Sequence, residues 1–319
     1  MLTAGKLVLG QTLSLISASA GVINGLLYEK WQINVPTLQS FLLYWLMLVV
    51  SALVVWFKRR PGRKDLAGSE PRDGAMALCI IFGGASDFLA GWLFTKAFSI
   101  LSVPTAVMFA ALTAPFAYLL QRPVLSRPQA IGLCLAVSSV ILYSAWELLG
   151  SSSSHATYAS LLLNNAADIG DLWLGILLAV SGAFSYALSN LMQERAAKAM
   201  APFTLLLGFG AVGSLCSSVL MAVDLYILGP DTVLLLRHPN VHGIYLILIG
   251  YTVLLLSFYI GIPLFLSRYS IVDFNLSLLT MNAYSLLGGV LLLGQHASVE
   301  LFACLGAIIV GLLLYHGEL

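Results

Sequence analysis

The chain has 319 residues, of which 60% are hydrophobic and only 9% are Asp, Glu, Lys or Arg. Soluble globular domains carry roughly 25% charged residues, so this composition excludes a soluble protein. A net charge of +1 argues against a nucleic-acid partner, which would demand a basic face.

A membrane-spanning helix needs about 20 mostly apolar residues. Hydropathy predicts ten such spans, at approximately 6–28, 37–57, 74–99, 104–121, 128–149, 171–194, 203–228, 241–267, 272–294 and 298–316. Pro36, Pro104, Pro128 and Pro202 fall at or near the first turn of a following span, where a missing N–H costs nothing. The first span continues to Tyr28 without a small-residue cleavage site, so no cleaved signal peptide is expected. It carries Gln11, Ser14, Ser17, Gly21 and Asn24 as a polar stripe at helical spacing.

The third span holds two charges, Asp87 and Lys96. Nine residues of helix give about 13 Å of rise and a net half turn, so the two point to opposite faces and cannot pair. Asp87 lies near the span centre, where a carboxylate is costly and is a functional candidate. It would bind a solute, carry a coupling proton, or serve as a structural acceptor for another helix. Lys96 lies near the non-cytoplasmic end and can snorkel to the interface, as an anchor or a rim residue.

Two polar linkers stand out, residues 58–73 and 151–170. The second lies midway and divides the chain into a first five-span unit (1–150), a polar non-cytoplasmic loop (151–170) and a second five-span unit (171–319). Gln121 precedes Gly132 by the same eleven positions that separate Gln295 from Gly306, at equivalent places in the two units. Because each unit holds an odd number of spans, the second must be inverted relative to the first. A 5+5 inverted repeat places a substrate site near the midplane between the halves.

In the sixth span Gly182, Ser185, Tyr186, Ser189, Asn190 and Gln193 form a small, hydrogen-bonding face. The ninth has Ser277, Thr280, Tyr284 and Gly288 on one stripe, flanked by Asn282 and Ser285. Small and hydroxyl residues also glue transmembrane helices together, so for the Ser and Gly positions packing is the ordinary reading. Tyr186, Asn190, Asn282 and Tyr284 offer the flat faces and paired donors and acceptors that a heterocyclic or sugar-like solute would use.

Enzyme and pump signatures are missing. No Gly-rich phosphate loop ends in Lys-Ser/Thr, and no Ser-His-Asp set shares a depth. His238 and His242 bracket Pro239 in a loop rather than forming a metal-binding pair. Cys79, Cys134, Cys216 and Cys304 each sit alone in a separate apolar segment, which supports neither disulfides nor a metal site. Neither a metal nor any other cofactor is expected. On the predicted topology 12 Lys and Arg residues fall on the side of the termini and 3 (Lys30, Lys96 and Arg237) on the other. The positive-inside rule then places both termini in the cytoplasm. The sequon Asn275-Leu276-Ser277 falls on the cytoplasmic side and should be unused.

Several blocks resemble solute carrier family 35, subfamily F, within the drug/metabolite transporter superfamily. They are Leu9-Gly10-Gln11, Pro36 with Leu38-Gln39-Ser40-Phe41 and Tyr44, Lys96-Ala97-Phe98 after Asp87, residues 170–195, and the run from Asn275 to Gly294. The resemblance implies an all-α integral membrane protein of ten helices, working by alternating access without a cofactor. It implies a nucleoside-like or base-like cargo, with queuine and queuosine the natural candidates. It also carries the family's third-span Asp to Asp87, its basic residue nine positions on to Lys96, and its Tyr-x-x-Ser-Asn face to Tyr186 and Asn190. This chain departs from close relatives at Leu89, Val107, Ala110, Gln193 and Asn282, where polar or acidic residues are neutralised or lost. Asp87 is thereby the main acid left at midplane depth.

The expected function is therefore a carrier of a small polar organic solute. Tyr44, Asp87, Trp92, Tyr186, Asn190, Thr280, Asn282 and Tyr284 are the candidate cavity residues, with Lys96 at the rim. Gly132, Gly306 and Gly311 would let the fifth and tenth spans pack closely, and these spans are the candidate homodimer surface. Membrane lipid and the solute are the other expected partners. The alternatives are a nucleotide-sugar antiporter, which would need cations facing the cavity, an exporter of lipophilic amines, and, in a different class, a non-transporting receptor or assembly factor.

Overall fold

The computed structural model describes residues 4–31, 33, 35–58, 74–101, 103–121, 126–149, 166–228, 241–294 and 299–316. The basic linker beyond Lys58, most of the central loop, Arg237 and Gln295 lie outside them. All regular structure among the described residues is helical: α1 (Ala4–Trp31), α2 (Pro36–Lys58), α3 (Gly74–Ala97), α4 (Val103–Ala110), α5 (Thr113–Gln121) and α6 (Arg127–Leu149), then α7 (Ala166–Ala197), α8 (Pro202–Val223), α9 (Val241–Leu266), α10 (Ile271–Leu293) and α11 (Val299–His316). Seven of these helices contain segments long and apolar enough to cross a membrane, and three shorter apolar stretches (Met108–Gln121, Ala130–Tyr143 and Phe302–Gly311) accompany them. The protein is thus an all-α integral membrane protein.

Helix boundaries follow local chemistry. Pro202 occupies the first turn of α8 behind an extended Ala201, where its fixed φ is already helical. A capping box starts α10: the Ser270 hydroxyl accepts from the Asp273 amide at 3.2 Å, and the Asp273 carboxylate accepts from the Ser270 amide. Gly294 ends α10 at φ 65°, a left-handed conformation that glycine adopts without steric cost.

Three elements differ from the sequence expectation. The fourth span is not one helix but two, α4 and α5, separated by a turn at Ala111 and Leu112. Pro115 is the cause: it has no N–H for the Ala111 carbonyl, and its ring crowds that position. The Ala111 carbonyl accepts instead from Ala114, three residues on, at 3.3 Å. Helix α7 begins at Ala166, inside the stretch expected as loop, with Asp171 near its positive end. The seventh span ends in a π-helical turn, Asp224–Leu228.

Polarity runs inside out. Leu142 and Leu291 are 69% and 77% exposed on the outer surface, as a hydrocarbon environment requires. Polar side chains such as Asn24, Gln39, Asn190 and Asn282 are buried instead. Helix α3 packs along α7, α2 along α8, α6 along α11, and α1 along both α10 and α9. Gly210 and Gly213 make the α2–α8 seam possible. A Cβ at Gly210 would lie 2.9 Å from the Leu48 backbone nitrogen, and one at Gly213 would overlap the Tyr44 ring. Helices α1 and α10 run parallel, joined in order by Lys6–Asp273, Gln11–Thr280 and Val22–Gly288. Of the three glycines expected between the fifth and tenth spans, Gly132 and Gly311 are buried. Gly306 is exposed with open space where a Cβ would be, so it makes no close approach within the chain.

Candidate substrate cavity

A cavity of about 170 Å³ lies between α1, α2, α3, α7, α9 and α10, and the α4–α5 turn contributes Ala111 and Thr113 to its wall. The helices present their polar faces to it. Ser17, Gly21 and Asn24 come from the α1 stripe, Gln39 and Tyr44 from α2, and Tyr186 and Asn190 from α7. Helix α9 supplies Tyr251, Phe258 and Tyr259, while α10 supplies Asn275, Asn282 and Ser285. The Phe94 and Tyr186 rings, both lining the cavity, stack with centroids 5.6 Å apart and planes 25° apart.

Asp87 lines the cavity and is only 1% exposed. Its oxygens are already engaged. The Tyr44 hydroxyl donates to Oδ2 at 2.7 Å, and the Ser189 hydroxyl donates to Oδ1 at 3.2 Å. The Gln193 amide reaches Oδ1 at 3.5 Å and also donates to Ser189 at 3.1 Å. A carboxylate in hydrocarbon persists when such donors replace its water. The Tyr44 ring reaches this position because Gly213 leaves room for it, and it meets Phe88 and Tyr259 edge-on at 5.9 and 6.2 Å. Asp87 therefore ties α2, α3 and α7 together at the cavity wall.

The opposite situation holds on α10. The buried side-chain atoms without a hydrogen-bond partner among the described residues are Gln39 Oε1, Asn275 Nδ2, Asn282 Nδ2 and Oδ1, and Ser285 Oγ. All four residues line the cavity. Gln39 is half satisfied, since its amide donates to Asn24 at 2.9 Å. Unpaired buried polar groups cost about 1–3 kcal/mol each and native proteins keep few of them. Their concentration in one cavity gives its wall free donors and acceptors.

Of the sequence candidates, Tyr44, Asp87, Tyr186, Asn190 and Asn282 line this cavity, whereas Trp92, Thr280 and Tyr284 do not. The Trp92 indole points toward the start of α2 and donates to Thr37 at 3.3 Å. Thr280 and Tyr284 both donate to Gln11 Oε1, at 2.9 and 3.0 Å. With the Ser14 hydroxyl on the Ser277 carbonyl and Lys6 paired with Asp273, they fasten α10 to α1. Lys96 is half-buried in the last turn of α3 and is not part of the cavity wall. The cavity residues that sequence reasoning passed over as candidates are Gln39, Tyr251, Tyr259, Asn275 and Ser285. Their signal was present: Asn275, Asn282 and Ser285 sit at i, i+7 and i+10, and Tyr251 and Tyr259 at i and i+8, each on one helical face.

The family model for solute carrier family 35, subfamily F, matches residues 2–317. The chain belongs to this family. No curated protein matches it, but 21 chains of solved structures do. One, a crystal structure, is 15% identical with a TM-score of 0.57, over 96% of this chain and 97% of its own length. That likeness concerns the fold alone. As a family 35 member, the protein is a multi-pass membrane solute transporter rather than an enzyme.

Proposed function

We propose that this family 35 protein carries a small, polar, nucleobase-like or nucleoside-like solute, queuine and queuosine among them, through the central cavity by alternating access. The observation that carries the reading is the set of unpaired buried polar atoms on Gln39, Asn275, Asn282 and Ser285, all on one cavity wall system. Stackable rings from Phe94 and Tyr186 line the same space and suit a planar solute.

Ten spans arranged as a 5+5 inverted repeat, with both termini cytoplasmic, complete the proposal. The helix pairing supports it. Exchanging the halves turns the α3–α7 seam into the α9–α1 seam, and the α1–α10 seam into that of α7 with α4 and α5. The α2–α8 and α6–α11 seams map onto themselves, as a pseudo-two-fold axis requires. The parallel course of α1 and α10 fits an even number of crossings between them. The outer faces of α6 and α11, which expose Leu142, Phe302 and Gly306, are the proposed homodimer surface.

Among the described residues no Lys or Arg lines the cavity, which disfavours a nucleotide sugar, whose phosphates would lie beside the Asp87 carboxylate. The test is uptake into proteoliposomes. Saturable flux of bases or nucleosides, with no flux of nucleotide sugars or lipophilic amines, is expected. Flux of nucleotide sugars alone overturns the cargo assignment, and an absence of flux for every solute class favours a receptor or assembly factor.

A further inference from the structure

The unpaired atoms of the cavity are of two kinds, and together they define what the solute must offer. Asn275 and Asn282 each leave an amide N–H group without an acceptor, while Gln39 and Asn282 each leave a carbonyl oxygen without a donor. Asn282 is unpaired at both ends, so exchanging its amide oxygen and nitrogen changes nothing in this count. Ser285, one turn further along α10 and fully buried, adds a hydroxyl that can act either way.

An ammonium ion only donates hydrogen bonds, so it would leave the Asn275 and Asn282 N–H groups unmet. A phosphate only accepts, so it would leave the Gln39 and Asn282 carbonyls unmet. It would also be desolvated beside the Asp87 carboxylate, with no Lys, Arg or His of the described residues on the wall to face it. Asp87 already accepts from Tyr44 and Ser189, so a cation there would compete with the bonds that join α2, α3 and α7. An uncharged group that donates and accepts side by side meets both kinds of atom, as the edge of an amide or lactam (–NH–C(=O)–) does.

We infer that Asn282 is the specificity-determining residue of the carrier: it pairs through both ends of its amide with a lactam edge of an uncharged solute, with Ser285 completing the contact. This rests on the cavity being the solute site, but not on the solute being a nucleobase. The chemistry of pairing is the same for any neutral lactam. A site built around such a pair rejects analogues that lack it, because the protein groups are then buried without partners.

The test uses the purified full chain in nanodiscs, with ligand-induced thermal stabilisation as the readout. The probes are two lactams, 2-pyridone and hypoxanthine, each beside its counterpart without the lactam, pyridine and purine. Inosine is compared with inosine 5′-monophosphate. In the unaltered protein the lactams are expected to bind about tenfold or more tightly than their counterparts, and inosine to outbind its phosphate. Asn282→Leu should abolish the difference. Asn282→Asp keeps the shape but exchanges the donor for an acceptor, so it should turn the preference from 2-pyridone to protonated 2-aminopyridine, whose ring N–H and amino group are both donors. Equal binding of lactams and counterparts overturns the inference, as does failure of every lactam to stabilise the unaltered protein or an Asn282→Asp variant with unchanged preference. If 2-pyridone binds while bases and nucleosides do not, the inference stands and the nucleobase assignment falls. If bases bind and both Asn282 variants behave as the unaltered protein does, the cargo assignment stands and the inference falls.

Discussion

Thr280 and Tyr284 on one face of α10 both donate to Gln11 of α1, while Asn275, Asn282 and Ser285 on another face line the cavity with atoms that have no partner. Both sets are polar residues at helical spacing, so polarity alone does not separate glue from binding surface. The separation comes from what lies opposite. Gln11 supplies an acceptor to the first face, whereas no described side chain bonds the unpaired atoms of the second. Asp87 belongs with the first: it lines the cavity, yet its oxygens are bonded to neighbouring helices.

That contrast can be broken most forcefully at Asp87. Asp87→Ala removes the acceptor shared by Tyr44 and Ser189 and leaves buried donors unmet, a loss of about 3 kcal/mol. The expected outcome is a Tm several degrees lower, with transport lost alongside folded protein. Asp87→Asn, which keeps one oxygen, should retain more of the fold. A Tm unchanged by Asp87→Ala would mean that the carboxylate is not a structural hub.

Gly213→Ala comes next. The added methyl overlaps the Tyr44 ring, and overpacking of this kind costs about 1–3 kcal/mol. Lower stability should be accompanied by loss of the Tyr44–Asp87 bond, and adding Tyr44→Ala should relieve part of the cost in a double-mutant cycle.

How far the sequence alone reveals these roles depends on the feature. Hydropathy locates the spans because lipid-facing surfaces must be apolar, and it places Asp87 at mid-depth because depth follows from counting along a helix. Rotation about the helix axis is different, since it depends on which neighbour each face meets. Thr280 and Asn282 are two residues apart on α10 and serve different surfaces, a distinction that needs the position of α1. Trp92 was legible as a polar-tipped aromatic beside Asp87, but its turn toward Thr37 reflects the α2–α3 approach. Pro115 gives the break in the fourth span a local cause that hydropathy does not register, because the apolar run continues unbroken through it. Gly213 gives no local sign of its purpose, because the ring it accommodates is carried by a residue on another helix.

The satisfied face of α10 should respond mildly. Tyr284→Phe removes one of two donors to Gln11, and interhelical hydrogen bonds in membranes are worth about 0.6 kcal/mol on average. A Tm within about two degrees and unchanged solute flux are expected. Strong loss of flux with an intact fold would move Tyr284 to the binding surface. Lys6→Met should have a comparably small effect. The Lys6–Asp273 pair is partly exposed, with side chains 19% and 25% accessible, and such pairs contribute at most about 1 kcal/mol. A double-mutant cycle with Asp273→Asn measures its coupling, and a value well above that would mark the pair as a structural lock.

The way the helices pair also bears on how the chain is made. Helices α1 and α3 enter the bilayer early, but their main partners, α10 and α7, are synthesised later. Until α7 arrives, Ser189 and Gln193 are missing from Asp87, and until α10 arrives, Gln11 has neither of the donors it takes from that helix. The nascent first half must therefore hold an incompletely satisfied carboxylate within the membrane while synthesis continues. A pause in translation between residues 150 and 190 would prolong that interval.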